Sequence, residues 1–171
     1  MGLGLGVVVV AAGLVVAALT DSLWWHHGPT AATSRVRGFE TVAFTVTGGA
    51  GAGDGVSGCA LLARTPAQRG RGLMQRRDLA GYDGMVFLWP ASTDEAFYMK
   101  DTLIPLSIAW FDGATHFVSE ASMTPCPPDV ASCPLFSAAS PYTVAIEVPE
   151  GGLARLGIGP GSSITLGAGC H

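Results

Sequence analysis

The first stretch of the chain limits its fold most. Gly2 to Leu19 is apolar throughout, ~18 residues or ~27 Å as a helix, which is enough to enter a bilayer. It has no polar face, so it does not read as a buried globular helix. Thr20 and Asp21 end it, and Trp24 and Trp25 follow where an interfacial aromatic belt would sit. A cleaved signal peptide normally has a basic start and a small-x-small cleavage site. Met1-Gly2-Leu3-Gly4 has no charged side chain and Ala17-Ala18-Leu19-Thr20 is a poor site, so an uncleaved signal anchor fits better, although both readings stay open. Either way the remainder is expected outside the cytoplasm, anchored at the outer face of the membrane or secreted. The expected division is a signal peptide or anchor helix over 1–22, a linker over 23–38 and a single β-rich domain over 39–171. The domain, about 130 residues, is of ordinary size.

Export changes the meaning of the four cysteines, Cys59, Cys126, Cys133 and Cys170. An even number on an exported chain points to disulfides. The spacing suits neither a Cys-x-x-Cys redox pair nor a four-cysteine zinc site. Cys126 and Cys133 flank a short Pro-rich loop that closes at little entropic cost. That leaves Cys59, which opens a strand-like run, for Cys170 behind the last one. If those two strands pair antiparallel, the bond staples the sheet.

Beyond the linker, short β-branched or apolar runs alternate with turn residues. Strands are expected at Glu40–Thr47, Cys59–Arg64, Met85–Trp89 (stopped by Pro90), Glu95–Met99, Leu106–Phe111, His116–Ser119, Tyr142–Val148 and Ser163–Leu166. Thr65-Pro66-Ala67-Gln68 has the capping-box pattern of a helix start, and Gly70 and Gly72 keep that helix short. A second short helix is expected over Glu150–Leu156, and Asp112-Gly113 suggests a two-residue hairpin. Gly48–Gly58 lacks the ending of a phosphate loop and reads as a connector. With 24 Gly and 11 Pro in 171 residues, the expectation is a mainly β domain, an antiparallel sandwich or partly closed barrel with two short helices.

Three blocks in this order resemble a known family. They are Thr65-Pro-Ala-Gln-Arg-Gly-Arg-Gly-Leu-Met-Gln-Arg76, Gly84-Met-Val-Phe-Leu-Trp89 and Phe97-Tyr-Met-Lys-Asp-Thr-Leu-Ile-Pro-Leu-Ser-Ile-Ala-Trp-Phe111. Together with Ala145–Val148, Gly151, Gly157-Ile158 and Gly161, over about residues 57–167, they are similar to the bacterial and archaeal domain-of-unknown-function family number 192. The resemblance implies a compact, mostly antiparallel, commonly exported β-domain, and no reaction. The chain departs from the family pattern at Asp101, where Asn is usual, and at Ser107 and Ser162, where Asp is usual.

Charge and composition narrow the function. A net charge of −4 with a single lysine, Lys100, excludes a basic footprint for nucleic acid. The expected ligand-binding cluster is Arg76, Phe97, Met99, Lys100, Asp101, Thr102 and Glu147, a polar group at a pocket mouth. The competing reading of its charged members is a salt-bridged turn. No catalytic residue, metal or cofactor is assigned. Arg69, Arg71, Arg76 and Arg77 read as a solvated face beside Asp78 and Asp83. Trp89, Phe97, Tyr98 and Trp110 either line a sugar-stacking groove or alternate into the core. The expected function is a non-catalytic binding or accessory module at the cell envelope, with a small polar or glycan ligand and a membrane contact through the N-terminal segment. The alternatives are an envelope-polysaccharide enzyme using Asp101 or Glu147, and a copper protein using Met74, Met85, Met99, Met123 and His116.

Overall fold

The computed structural model describes residues 36–49, 55–127 and 129–171. The expected anchor helix, and the linker up to residue 35, lie outside these. Among the described residues no helix is long and apolar enough to cross a membrane. Val36 is buried in a core and its carbonyl accepts the Phe39 N–H at 3.1 Å, so the folded domain reaches back at least to Val36.

In chain order the elements are β1 (Glu40–Thr47), β2 (Val56–Ala63), α1 (Pro66–Arg71), β3 (Gly84–Thr93), β4 (Phe97–Tyr98), β5 (Leu106–Phe111), β6 (Phe117–Met123), β7 (Leu135–Phe136), β8 (Tyr142–Pro149), α2 (Gly152–Arg155) and β9 (Ser163–Leu166). Seven strands form one sheet in the order β6-β5-β8-β3-β2-β1-β9, while β4 and β7 pair separately. The sheet curls until its edges touch: His116 bridges Ser163, and Phe117 N–H donates to Ser162 O at 2.9 Å. The architecture is therefore the partly closed barrel rather than the sandwich. Pairing is antiparallel except between β2 and β3. Residues 64–83, with α1, form the long crossover that a parallel pair needs.

The strands bury both faces. Val42, Phe44, Val46, Ala60, Leu62, Val86, Phe111, Ile146 and Ile164 fill the inside. Leu61, Met85, Phe87, Ile108, Trp110 and Ala145 point outward, and α1 and the loops cover them as a second core. That explains why β5 is buried at every position: a central strand covered on both faces carries no polar alternation.

The capping box forms as the spacing suggests. Thr65 Oγ1 accepts the Gln68 N–H at 3.2 Å and Gln68 Oε1 accepts the Thr65 N–H at 3.0 Å. Several boundaries differ from expectation. Instead of stopping at Pro90, β3 runs on to Thr93, with its pairing to β8 interrupted after Leu88; proline has no N–H for the ladder. The Glu95–Met99 strand shrinks to Phe97–Tyr98. Its partner, β7, lies just beyond Cys133, after the loop that the disulfide closes. The hairpin after β5 is longer than two residues: Asp112 N–H donates to His116 O, and Thr115 takes a left-handed φ of 66°.

Cys59–Cys170 and Cys126–Cys133 are bonded. The route of the first differs from the one expected, since β1 lies between β2 and β9. The tail after β9 follows β1, with Cys170 N–H donating to Thr41 Oγ1 at 3.1 Å, and reaches β2 from there. Two disulfides suit an oxidising compartment.

Candidate functional site

The outer face of β3, β8 and β5 has a register that brings two rows together. Phe87, Ala145 and Trp110 lie side by side, and next to them Met85, Glu147 and Ile108. Ala145 leaves a gap between two large rings, and Phe97 on β4 fills it, its centroid 5.0 Å from Phe87 and 6.1 Å from Trp110, both edge-on. Trp89 and Tyr142 extend the aromatic group, 5.1 Å apart. Tyr142 Oη donates to Glu95 O at 2.6 Å. Burial first, then the nearby Glu95 carboxylate, raises its phenol well above the usual range.

Above this floor, α1 and its exit stand away from the sheet and leave a cavity of about 310 Å³. Phe87, Trp89 and Phe97 form one side, Leu73, Met74 and Arg69 another, with the exposed Glu95 and the buried Thr102 and Glu147 also among its lining. Arg69 is held by the protein itself. Its Nη1 donates to Arg64 O at 2.8 Å and Leu88 O at 3.2 Å, and its guanidinium lies 4.8 Å from the Trp89 ring centre.

Glu147 is different. It is 5% exposed, the one buried carboxyl among the described residues. Its ladder neighbours, Met85 and Ile108, are apolar. No described residue gives its carboxyl a hydrogen bond or an ion pair. Burial alone pushes it up to about 8, because the charged form loses its water without gaining a partner. A glycine opens β3 opposite it: a Cβ on Gly84 would strike the Glu147 carbonyl.

Of the expected cluster, Phe97, Thr102 and Glu147 come together at this cavity. Met99 is buried below it, its carbonyl accepting the Thr102 N–H at 3.1 Å. Lys100 and Asp101 line a separate groove along the Cys126–Cys133 loop. Neither forms an ion pair among the described residues. Arg76 turns to its own loop, Nε donating to Asp78 O at 3.3 Å. Arg69, Arg71 and Phe87 line the cavity instead, although the arginines had read as a solvated face. Trp89, a candidate for a groove or the core, lines the cavity with Phe97 and Tyr98, and its stacking with Arg69 depends on the fold.

The three departures from the family pattern have local explanations. Ser107 Oγ accepts the Gly151 N–H at 3.1 Å, ahead of α2; Gly151 itself has φ 74°. Ser162 Oγ donates to Gly159 O at 2.7 Å and accepts Gly159 N–H at 3.1 Å. Asp101 adopts a left-handed φ of 54°, which Asn also accommodates readily. All three positions serve turns. Among the described residues no cluster of three His, Cys, Asp or Glu is placed to hold a metal ion. Met85, Met99 and Met123 are fully buried filler. His116 stands about 23 Å of extended chain from Met123.

Residues 52–166 match the family DUF192, described as "Uncharacterized ACR". A crystal structure of a protein of unknown function from Novosphingobium aromaticivorans DSM 12444 is 32% identical, covering 78% of this chain and 91% of its own, with a TM-score of 0.66. A second, from Sinorhizobium meliloti 1021 and described as a "putative transcription regulator", is 23% identical over 75% of this chain and 95% of its own, with a TM-score of 0.63. The latter shares the fold alone. No curated protein matches the chain.

Proposed function

The chain belongs to the DUF192 family, and we propose that this member is an extracytoplasmic binding module whose site is the cavity between α1 and the outer face of the sheet. The observation that carries this reading is Glu147: a buried carboxyl without a partner among the described residues, on a cavity of a small ligand's size. Buried polar groups are normally satisfied, and an apolar pocket with a few polar groups is where small molecules bind. The half-buried Phe97 ring offers a face for stacking, and Thr102 and Glu147 offer hydrogen bonds. That combination suits a small polar or glycan-type ligand. The two disulfides and the apolar N-terminal stretch support a place outside the cytoplasm, held at the membrane by that stretch.

The test is thermal unfolding of the full chain in mild detergent against monosaccharides, cell-wall fragments and small polar metabolites. A ligand at 100 times its Kd stabilises by about 2.7 kcal/mol, a shift of several degrees. The shift is expected to disappear in Phe97→Ala. A ligand whose shift survives that change would place the site elsewhere.

One observation favours a second reading, an envelope-polysaccharide enzyme. A carboxyl raised to about 8 stays protonated at neutral pH, as a general acid must, and Glu95 in the lining supplies a second carboxyl. Turnover of an envelope polysaccharide that Glu147→Gln abolishes would establish this reading over plain binding.

A further inference from the structure

The base of the cavity also carries information about the ligand's polar group. A buried carboxyl can be satisfied by a proton, by a neutral hydrogen-bonding group or by a cation. Neutral hydroxyls and amides are served as well by Ser, Thr, Asn or Gln, which bring no ionisable group into the sheet. A carboxylate is the better match for a positive charge. At Glu147 no described residue supplies that charge. On α1, Arg69 is bonded to the Arg64 and Leu88 carbonyls, and Arg71 lies 5.8 Å from the Phe39 ring. The arm before β5 brings Glu95, Tyr98, Lys100 and Asp101, and Lys100 lines the other groove. On the adjoining strands the neighbours are Met85 and Ile108. Among the described residues no charged group contributes to the state of Glu147; burial alone does. The rings of Phe87, Trp89 and Phe97 stand within 6.4 Å of one another, and aromatic faces attract cations.

We propose that the cavity receives its ligand through a protonated amino group, which pairs with the Glu147 carboxylate while the ligand's body packs on Phe97. This rests on the cavity being the binding site, as set out above. The step balances simply. Below the pH at which Glu147 ionises, the carboxyl loses its proton to solvent as the ammonium enters, and no covalent bond changes in the ligand.

The test uses matched probes that differ in one group: benzylamine against benzyl alcohol, and glucosamine against glucose. Each is titrated calorimetrically into the full chain in mild detergent at about pH 6, in buffers of different ionisation enthalpy. The expected result is that the amine of at least one pair binds about tenfold tighter than its alcohol, with close to one proton released per molecule bound. Glu147→Gln, which keeps the side-chain shape, is expected to erase the preference and the proton release. Equal or tighter binding of the alcohols to the unaltered chain would overturn the amino-group assignment and leave the binding module standing. Amine binding that survives Glu147→Gln would overturn it too. Silence from all four probes at millimolar concentration, together with no thermal shift in the wider panel, would remove both.

Discussion

The two faces of the sheet treat their buried polar groups in opposite ways. Ser107 on β5 and Ser162 ahead of β9 are buried, and each is hydrogen-bonded to turn backbone, at Gly151 and Gly159. On the outer face Glu147 is just as buried and has no partner among the described residues. The two serines find their partners in the fold itself, whereas on the outer face Arg69 Nε, Trp89 Nε1 and Trp110 Nε1 are also buried without one among the described residues. A carboxyl that costs stability without such a partner is better explained by something that binds there. The inside of the barrel is filled by strand side chains together with Leu153 of α2 and Ile158. The outside is assembled from α1, the β4–β7 pair and loops, and it is there that space remains.

The contrast can be broken most directly by truncating one ring on each face. Phe44→Ala, on the inside, is expected to destabilise by about 3–5 kcal/mol. Phe97→Ala, half-buried at the cavity, is expected to lower stability by less than half of that while abolishing ligand response. Denaturant unfolding measures both. Equal losses would mean that the outer aromatic group is ordinary core.

Next in size is the pH dependence at Glu147. Its pKa in the folded chain is about 8, above the ordinary 4.5. The unfolded chain therefore loses this proton first as pH rises. The contribution of Glu147 is fully present below pH 4.5 and is lost progressively up to about pH 8. Glu147→Gln is expected to remove that slope and to be the more stable protein at pH 8. Melting temperatures at pH 4.5, 6 and 8 decide it, and parallel curves for the two proteins would show that the carboxyl is already satisfied.

The smallest effect sharpens the other side of the comparison. Ser107→Ala leaves the Gly151 N–H without its acceptor and is expected to cost about 1 kcal/mol, with no change in ligand response. A loss of ligand response there would tie the barrel's turns to the outer cavity.

Much of the fold was legible locally. Strand positions follow from β-branched runs between turn residues, and the start of α1 follows from Thr65, Pro66 and Gln68. Pairing across the Pro-rich loop follows from its short closure, and with it the remaining Cys59–Cys170 bond. The family resemblance rests on blocks that form the crossover, β3 and β5. The candidate site was only half visible: Phe97, Thr102 and Glu147 meet at the cavity, while Lys100, Asp101 and Arg76 lie outside it and Arg69, Arg71 and Phe87 take their place.

Sequence alone determined which residues share a face of each strand, because alternation is a property of the strand itself. It also determined where the chain turns and which cysteines can meet. Only the tertiary structure decided that β8 inserts between β3 and β5, and so that Glu147 lies between Met85 and Ile108 beneath α1. The physical reason is that strand neighbours are chosen by long-range packing and loop closure, and no local pattern records them. A carboxyl on a strand reads as solvent-facing until the elements that cover it are in place.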